Sequence, residues 1–436
     1  MKEQHDSDYS FLQEKIKERP INRKKLIRTS LNTAVFAVVF GLVACFVFIL
    51  LEPVIGKLLN ASPEEPKQQQ IVLPTEEDEM LPEDMVQDEE ELSETQSPSE
   101  TVDSNVTAEV ELHVTDYQKI YDKMRVIAYE AARSHVKVTA VREGTDWFQN
   151  RLESTNETSG MLVADNGVEI LILCDQATIA GASEILVTFC NEYKANATIK
   201  KGDRNTGLAI IAVRLNDVNE KTKNEIKYAR LGSSAATSIV GDLVIAIGSP
   251  LGYTDSLCYG MITSNRNPVS LVDANYTLIT TDIYGSRNAS GMLVNTLGQV
   301  IGVIRQDYNA VEMKNQISAI GITELKRLIE DLSNERQTPF LGIHVTDVTA
   351  AAQDSLGVPD GAFITEVSMM SPAMEHGLRK GDVVIAMNDV AISSVVEFNA
   401  EMRKYVPQQE IVIKIMRQDV EGYQEMDIRV TLDLFE

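Results

Sequence analysis

The sequence predicts a mainly β protein, a barrel or sandwich pair, carried behind one transmembrane helix and a disordered acidic linker. Three observations predict it. Between Val136 and Ile304 short apolar runs alternate with Gly, Asn, Asp and Ser turns, as in sandwiches and barrels. Ahead of them, Leu31 to Leu51 is an uncharged run of 21 residues, and roughly 20 residues of helix span a bilayer core. Between the two, residues 63–100 hold fourteen Asp and Glu against the single Lys67.

Taken in chain order, residues 1–30 form a basic tail that includes Lys15, Lys17, Arg19, Arg23, Lys24, Lys25 and Arg28. The flank after the apolar run is acidic, so by the positive-inside rule the tail is cytoplasmic and everything after Glu52 lies outside, at the plasma membrane. The run is too long for the usual signal-peptide core, and no small-residue cleavage site follows it closely. Residues 52–116 cannot bury enough apolar surface to offset their ordering entropy and read as a self-repelling spacer. An acidic interaction tail is the alternative reading. The net charge of −25 argues against a nucleic-acid partner, which needs clustered Lys and Arg.

Globular composition begins near Tyr117. Tyr117, Ile120, Tyr121, Met124, Ile127 and Ala131 recur at helical spacing, which predicts an amphipathic helix packed on the segment after it. Nine strand-like runs come next: 136–141, 159–164, 169–173, 184–189, 208–213, 243–248, 261–264, 278–282 and 299–304. Cys174, Cys190 and Cys258 fall among them at spacings unlike a zinc site, so no metal or other cofactor is expected. They read as free buried thiols, one disulfide being the alternative. The polar stretch L-S-N-E-R-Q, 332–337, reads as a connector between two folded domains, 117–331 and 338–436.

The first domain carries G-S-S (232–234), V-G-D-L-V-I-A-I-G-S-P-L-G-Y (240–253), G-M-I-T-S (260–264), T-T-D (280–282) and L-V-N-T-L-G-Q-V-I-G-V-I (293–304). In order and spacing these phrases resemble the HtrA family of trypsin-like serine proteases. The resemblance implies a chymotrypsin-like double β-barrel with an active-site cleft between the barrels.

Such an enzyme needs a serine oxygen, an imidazole to take its proton and a carboxylate to hold the imidazole. Aligned on the family motifs, L-C-D-Q-A-T-I-A-G-A-S-E-I (173–185) puts Ala177 at the histidine, and D-R-N-T-G-L-A-I-I-A-V (203–213) puts Gly207 at the carboxylate. N-A-S-G-M-L-V-N (288–295), matched back from L-V-N, puts Ala289 at the nucleophile. Counted forward from Asp282, Ser290 takes that place instead. The five histidines, at 5, 113, 135, 344 and 376, leave none between 136 and 343, and a serine hydroxyl without a base is a poor nucleophile. His135 reads as a core-edge residue. Lys200 and Lys201, the nearest lysine bases, read as a solvated face. Arg287 replaces the glycine expected before Asn288, and the segment 282–288 is one residue short, which spoils an oxyanion hole.

In the second domain, T-P-F-L-G-I-H-V is followed by S-P-A-M-E-H-G-L-R-K-G-D-V-V-I-A-M-N (371–388). These phrases resemble a PDZ domain of the HtrA type. The resemblance implies a sheet edge that takes an extended peptide, with backbone N–H groups of Phe340, Leu341, Gly342 and Ile343 capturing its terminal carboxylate.

The sequence thus reads as a membrane-anchored HtrA-like pseudoprotease, a serine endopeptidase fold without catalysis. Its function would be peptide binding or scaffolding in extracytoplasmic protein quality control. Two other readings stand beside it: an active endopeptidase using Ser290, and a regulatory partner of a catalytic HtrA paralogue. The family also implies a homotrimer or a hetero-assembly with paralogues.

Overall fold

The computed structural model describes residues 38–40, 43, 68–74, 113–145, 151–236, 239–420 and 422–435. The predicted span 31–51 lies outside the described residues except for 38–40 and 43, which are helical. Among the described residues no helix is long and apolar enough to cross a membrane. The tail 1–30 and most of the acidic linker also lie outside them. Residues 68–436 form one compact unit.

The first domain is two closed six-stranded antiparallel barrels. The first barrel contains β1 (His135–Thr145), β2 (Arg151–Asp165), β3 (Glu169–Asp175), β4 (Glu184–Thr188), β5 (Lys194–Asp203) and β6 (Leu208–Arg214), in the order β1-β2-β3-β6-β5-β4. The second contains β7 (Leu243–Ser249), β8 (Ser256–Leu271), β9 (Ala274–Tyr284), β10 (Ser290–Asn295), β11 (Val300–Ile304) and β12 (Gln316–Gly321), in the order β10-β11-β12-β9-β8-β7. Period-2 geometry explains why β3 is apolar throughout. Ile170 and Ile172 fill the first barrel, while Leu171 and Leu173 join Ile245, Ile247 and Met292 of the second in a shared core. All nine runs read from the sequence fall on strands, with only Phe189 and Gln299 lying one residue beyond a strand end. β5, β10 and β12 lie outside those runs, and β5, K-A-N-A-T-I-K-K-G-D, is largely polar because only part of one face is buried.

The predicted helix spans Val114–Ala132 (α1), but its buried residues lie only in the second half, and the exposed Tyr121 meets Tyr259 edge-on. Met124 and Ala128 are buried, with Ile127 and Ala131 beside them, whereas Tyr117, Ile120 and Tyr121 are exposed. Helix α4 (Ile322–Ser333), preceded by the short α2 (Gln176–Ile179) and α3 (Glu220–Glu225), corrects the connector. Leu332 and Ser333 are buried in it, so the linker begins at Asn334. Leu325, Ile329 and Leu332 of α4 also hold Ile71, which is buried with them in the shared core. Asn334 fixes that segment, donating to the Ile71 carbonyl at 2.8 Å and accepting from its N–H at 2.9 Å. Part of the expected spacer is therefore seated on the fold. Of the cysteines, Cys174 is buried, Cys258 half-buried and Cys190 exposed; all three are free, so burial holds fully for one of them.

Residues 339–434 form the second domain. Its main sheet runs β14 (Ile343–Asp347), β15 (Ala362–Val367), β16 (Val383–Met387), β18 (Glu410–Asp419) and β19 (Gly422–Thr431), with β17 (Val390–Ala391) paired to β16. A short pair, β13 (Pro339–Phe340) and β20 (Asp433–Leu434), closes its ends. Helix α5 (Ala350–Leu356) buries none of its residues, whereas α6 (Pro372–Glu375) and α7 (Val395–Met402) pack on the sheet, with Phe398 of α7 fully buried. β14 has β15 on one side only, so it is an edge strand.

Candidate functional site

The barrels face each other across a cleft of about 450 Å³ whose walls include Ala177, Ala289 and Ser290. Asp175 caps α2: its Oδ2 accepts from the Thr178 N–H at 2.8 Å and the Thr178 hydroxyl at 2.7 Å. That cap turns the chain so that Ala177 lines the cleft. Its free oxygen, Oδ1, accepts from Arg305 Nη1 at 2.5 Å. The guanidinium also pairs with Asp307 and leans on the Gly207 carbonyl at 3.4 Å. A Cβ at Gly207 would sit 2.6 Å from Arg305 Nη2. Arg305 therefore occupies the space into which a side chain at position 207 would grow. It follows β11 directly, one residue beyond the motif that ends at Ile304, so no family phrase marks it.

The turn before β10 is closed on itself. The Ala289 N–H donates to the Ser286 carbonyl at 3.1 Å, and the Asn288 N–H donates to Ser286 Oγ at 3.2 Å. The Ala289 methyl is buried in the core of the second barrel. An oxyanion needs N–H groups that point into the cleft and are free to donate. At position 289 that donor is consumed within the turn. Ser290 opens β10 opposite Ser249, and its hydroxyl accepts from the Ser159 N–H at 3.1 Å. Arg287 is exposed on the cleft rim.

His135, read as a core-edge residue, is buried as expected but also reaches the cleft wall. Its Nδ1 lies 3.7 Å from Asp255 Oδ1, beyond hydrogen-bond length, and its Nε2 has no partner. Burial lowers its pKa to about 4, against the opposing pull of the Asp255 charge, so the ring is neutral at pH 7. Neither nitrogen engages a serine. The two candidate lysines are also committed: Lys200 pairs with Glu169 at 2.9 Å and with Glu335, and Lys201 donates to the Arg336 carbonyl. No base stands ready beside Ser290 among these residues.

In the second domain, Leu341 and Ile343 are fully buried in its core, and Phe340 is half-buried against Phe435 with ring centroids 5.5 Å apart. Their backbone is the more informative part. Gly342 has φ +91, and a Cβ there would lie 2.2 Å from Ser371 Cβ, so the turn needs glycine. The N–H groups of Leu341, Gly342 and Ile343 converge on one carboxylate, that of Asp273 at the tip of the β8–β9 hairpin. The Phe340 N–H is not among these donors. Burial pushes the Asp273 carboxyl up to about 6, against the pull of the three N–H groups and His344.

Residues 158–303 match the trypsin-like peptidase domain family and residues 339–430 match the PDZ domain family. The chain is 28% identical over 287 residues to the "Probable periplasmic serine endoprotease DegP-like" of Hahella chejuensis, covering 64% of this chain and 57% of that protein. It is 30% identical over 271 residues to the protein of that name in Chlamydia muridarum, covering 60% and 51%. With "Serine protease Do-like HtrA" of Lactococcus lactis it shares 23% over 326 residues, 69% and 78% of the two chains. The chain spans about half the length of the DegP-like relatives. Among solved structures, "HtrA-type protease AlgW with decapeptide" superposes at TM-score 0.52 with 21% identity over 71% of this chain and 98% of that one, a likeness of fold. The order of the two matched domains is the one the motifs implied, and the chain belongs to the HtrA-like family of trypsin-like serine protease folds with a C-terminal PDZ domain.

Proposed function

We propose that this protein is a membrane-anchored pseudoprotease that binds peptide C-termini or unfolded segments outside the cytoplasm, as a scaffold in protein quality control. The observation that carries the loss of catalysis is the cleft itself. Ala177, Gly207 and Ala289 offer no base, no carboxylate and no hydroxyl, and Arg305, paired with Asp175, occupies the space beside Gly207. Losing members of such a cooperating unit typically costs on the order of 10⁴ to 10⁶ in rate. Peptide binding is supported by three convergent N–H groups and by the edge strand β14. Assembly as a homotrimer, or with a catalytic paralogue, is part of the same reading.

The purified protein is expected to leave casein intact, with Ser290→Ala indistinguishable from wild type. The endopeptidase reading has in its favour that Ser290 lines the cleft. Stoichiometric labelling of Ser290 by a fluorophosphonate, or casein cleavage that disappears in Ser290→Ala, would establish that rival instead.

The uncharged run 31–51 between a basic and an acidic flank supports a single-pass anchor with its N-terminus in the cytoplasm. Protease added to intact cells is then expected to release the barrels and PDZ domain by cutting within residues 75–100. Full protection of that stretch until the membrane is permeabilised would reverse the orientation.

A further inference from the structure

The carboxylate that fills the PDZ turn comes from the chain's own first domain. Asp273 Oδ2 accepts from Leu341 N at 2.7 Å and from Gly342 N at 2.8 Å, and Oδ1 accepts from Gly342 N and Ile343 N at 2.9 Å each. Both oxygens of one carboxylate are satisfied by consecutive backbone donors, as the terminus of a bound peptide would be. The likeness extends along the strand. The Asp273 N–H donates to the Ile343 carbonyl at 2.8 Å, and Ser270 Oγ and Asn275 Nδ2 each donate to the Val345 carbonyl at 2.9 Å. His344 Nδ1 lies 3.3 Å from the Ser270 carbonyl. On the far side, Asn399 of α7 reaches the Asn275 carbonyl at 3.5 Å. The hairpin tip 270–275 thus lies between the edge strand β14 and helix α7.

We propose that Asp273 is an internal ligand of the Leu341–Ile343 turn, so that a peptide C-terminus enters only by displacing the hairpin tip that carries it. This rests on the peptide-binding reading above and adds how that site is controlled. Asp273 is suited to the task by position: it holds φ +55 at a two-stranded tip, a conformation Asp adopts with little strain. The consequence is thermodynamic. If the turn is open in a fraction f of molecules, an external peptide binds with its intrinsic constant divided by f. A few per cent of open molecules would weaken apparent affinity by about 10- to 100-fold. A partner that pulls the hairpin away, or a peptide presented at high local concentration, would release the site.

The test uses the full chain in detergent, with wild type, Asp273→Asn and Asp273→Gly compared. Asn keeps the shape and the backbone conformation without the charge, and Gly removes the side chain while tolerating the positive φ. The probe is a fluorescein-labelled decapeptide ending Ala-Val-Val with a free carboxylate, beside its C-terminal amide. Binding is read by anisotropy, and hydrogen exchange of the amides of residues 341–343 is read on the same samples. Both variants are expected to bind the acid peptide at least tenfold more tightly than wild type, with no such gain for the amide. Their 341–343 amides are expected to exchange faster than in wild type. Equal binding of the acid peptide by all three proteins, tighter than the amide, would overturn the internal ligand and leave peptide capture standing. Exchange at 341–343 that is unchanged in both variants would overturn it as well. Absence of peptide binding in every protein, with faster exchange in the variants, would keep Asp273 as the occupant of the turn and refute capture of this class of C-terminus.

Discussion

Replacing Gly291 by alanine is expected to unfold the second barrel or lower its melting temperature by at least about 10 °C, at roughly 2–4 °C per kcal/mol for a unit of this size. Gly291 follows Ser290 in β10 and pairs with Gly248 of β7. Its φ is +129, a region that L-residues rarely adopt, and a side chain there costs on the order of 1–3 kcal/mol by backbone strain alone. The second cost is steric. A Cβ would lie 2.1 Å from the Ile247 carbonyl oxygen and 3.0 Å from its carbon, and neither atom can rotate away as a side chain would. β7 would have to shift, and Ile245 and Ile247 carry the core shared by both barrels. Together these put the loss at about 4 kcal/mol or more, in the exceptional range for one substitution. Gly167→Ala is the control: φ is +83 there, but no atom lies within 4 Å of the added Cβ, so only the strain remains. Calorimetry that finds Gly291→Ala within about 2 °C of Gly167→Ala would show that the strand contact is slack.

Much of the fold was legible because barrels write themselves into sequence with period 2. Ile170 and Ile172 face one core while Leu171 and Leu173 face another, and both sets are apolar, so β3 stands out without any alignment. β5 does not, because one buried alanine and one buried aspartate among lysines look like a loop until the partner strands are known. Ala177, Gly207 and Ala289 were also legible, being single positions inside long motifs. The ion pair that stands beside Gly207 was not. Arg305 and Asp175 are 130 residues apart, and nothing local to either announces the pair. Asp273 is a sharper case. A polar hairpin tip reads as a solvated turn, and only the docked arrangement brings its carboxylate to donors about 70 residues away. The exposed half of α1 shows the opposite error: Tyr117, Ile120 and Tyr121 have helical spacing, yet periodicity alone does not say whether a neighbour covers the stripe.

Removing Arg305 separates a cleft that is blocked from one that is empty. Arg305→Ala deletes a largely buried cation and leaves Asp175 Oδ1 without its 2.5 Å partner, while Oδ2 keeps both bonds to Thr178. Breaking a buried pair by removing one partner costs roughly 3–5 kcal/mol, and Asp175 is only partly shielded, so about 2–3 kcal/mol is expected here. That corresponds to a fall in melting temperature of about 5–10 °C. Casein turnover is expected to stay at background in the variant. If Arg305 were a plug in a working protease, its removal would open the space beside Gly207 and turnover would rise. The geometry argues otherwise, since clearing the guanidinium uncovers the Gly207 backbone, which carries no catalytic group, and His135 Nε2 still has no serine to serve. Cleavage that appears in Arg305→Ala and vanishes again in Arg305→Ala with Ser290→Ala would mean that the arginine suppresses an enzyme. A destabilised and inert variant would mean that the ion pair has taken over the structural place of the triad.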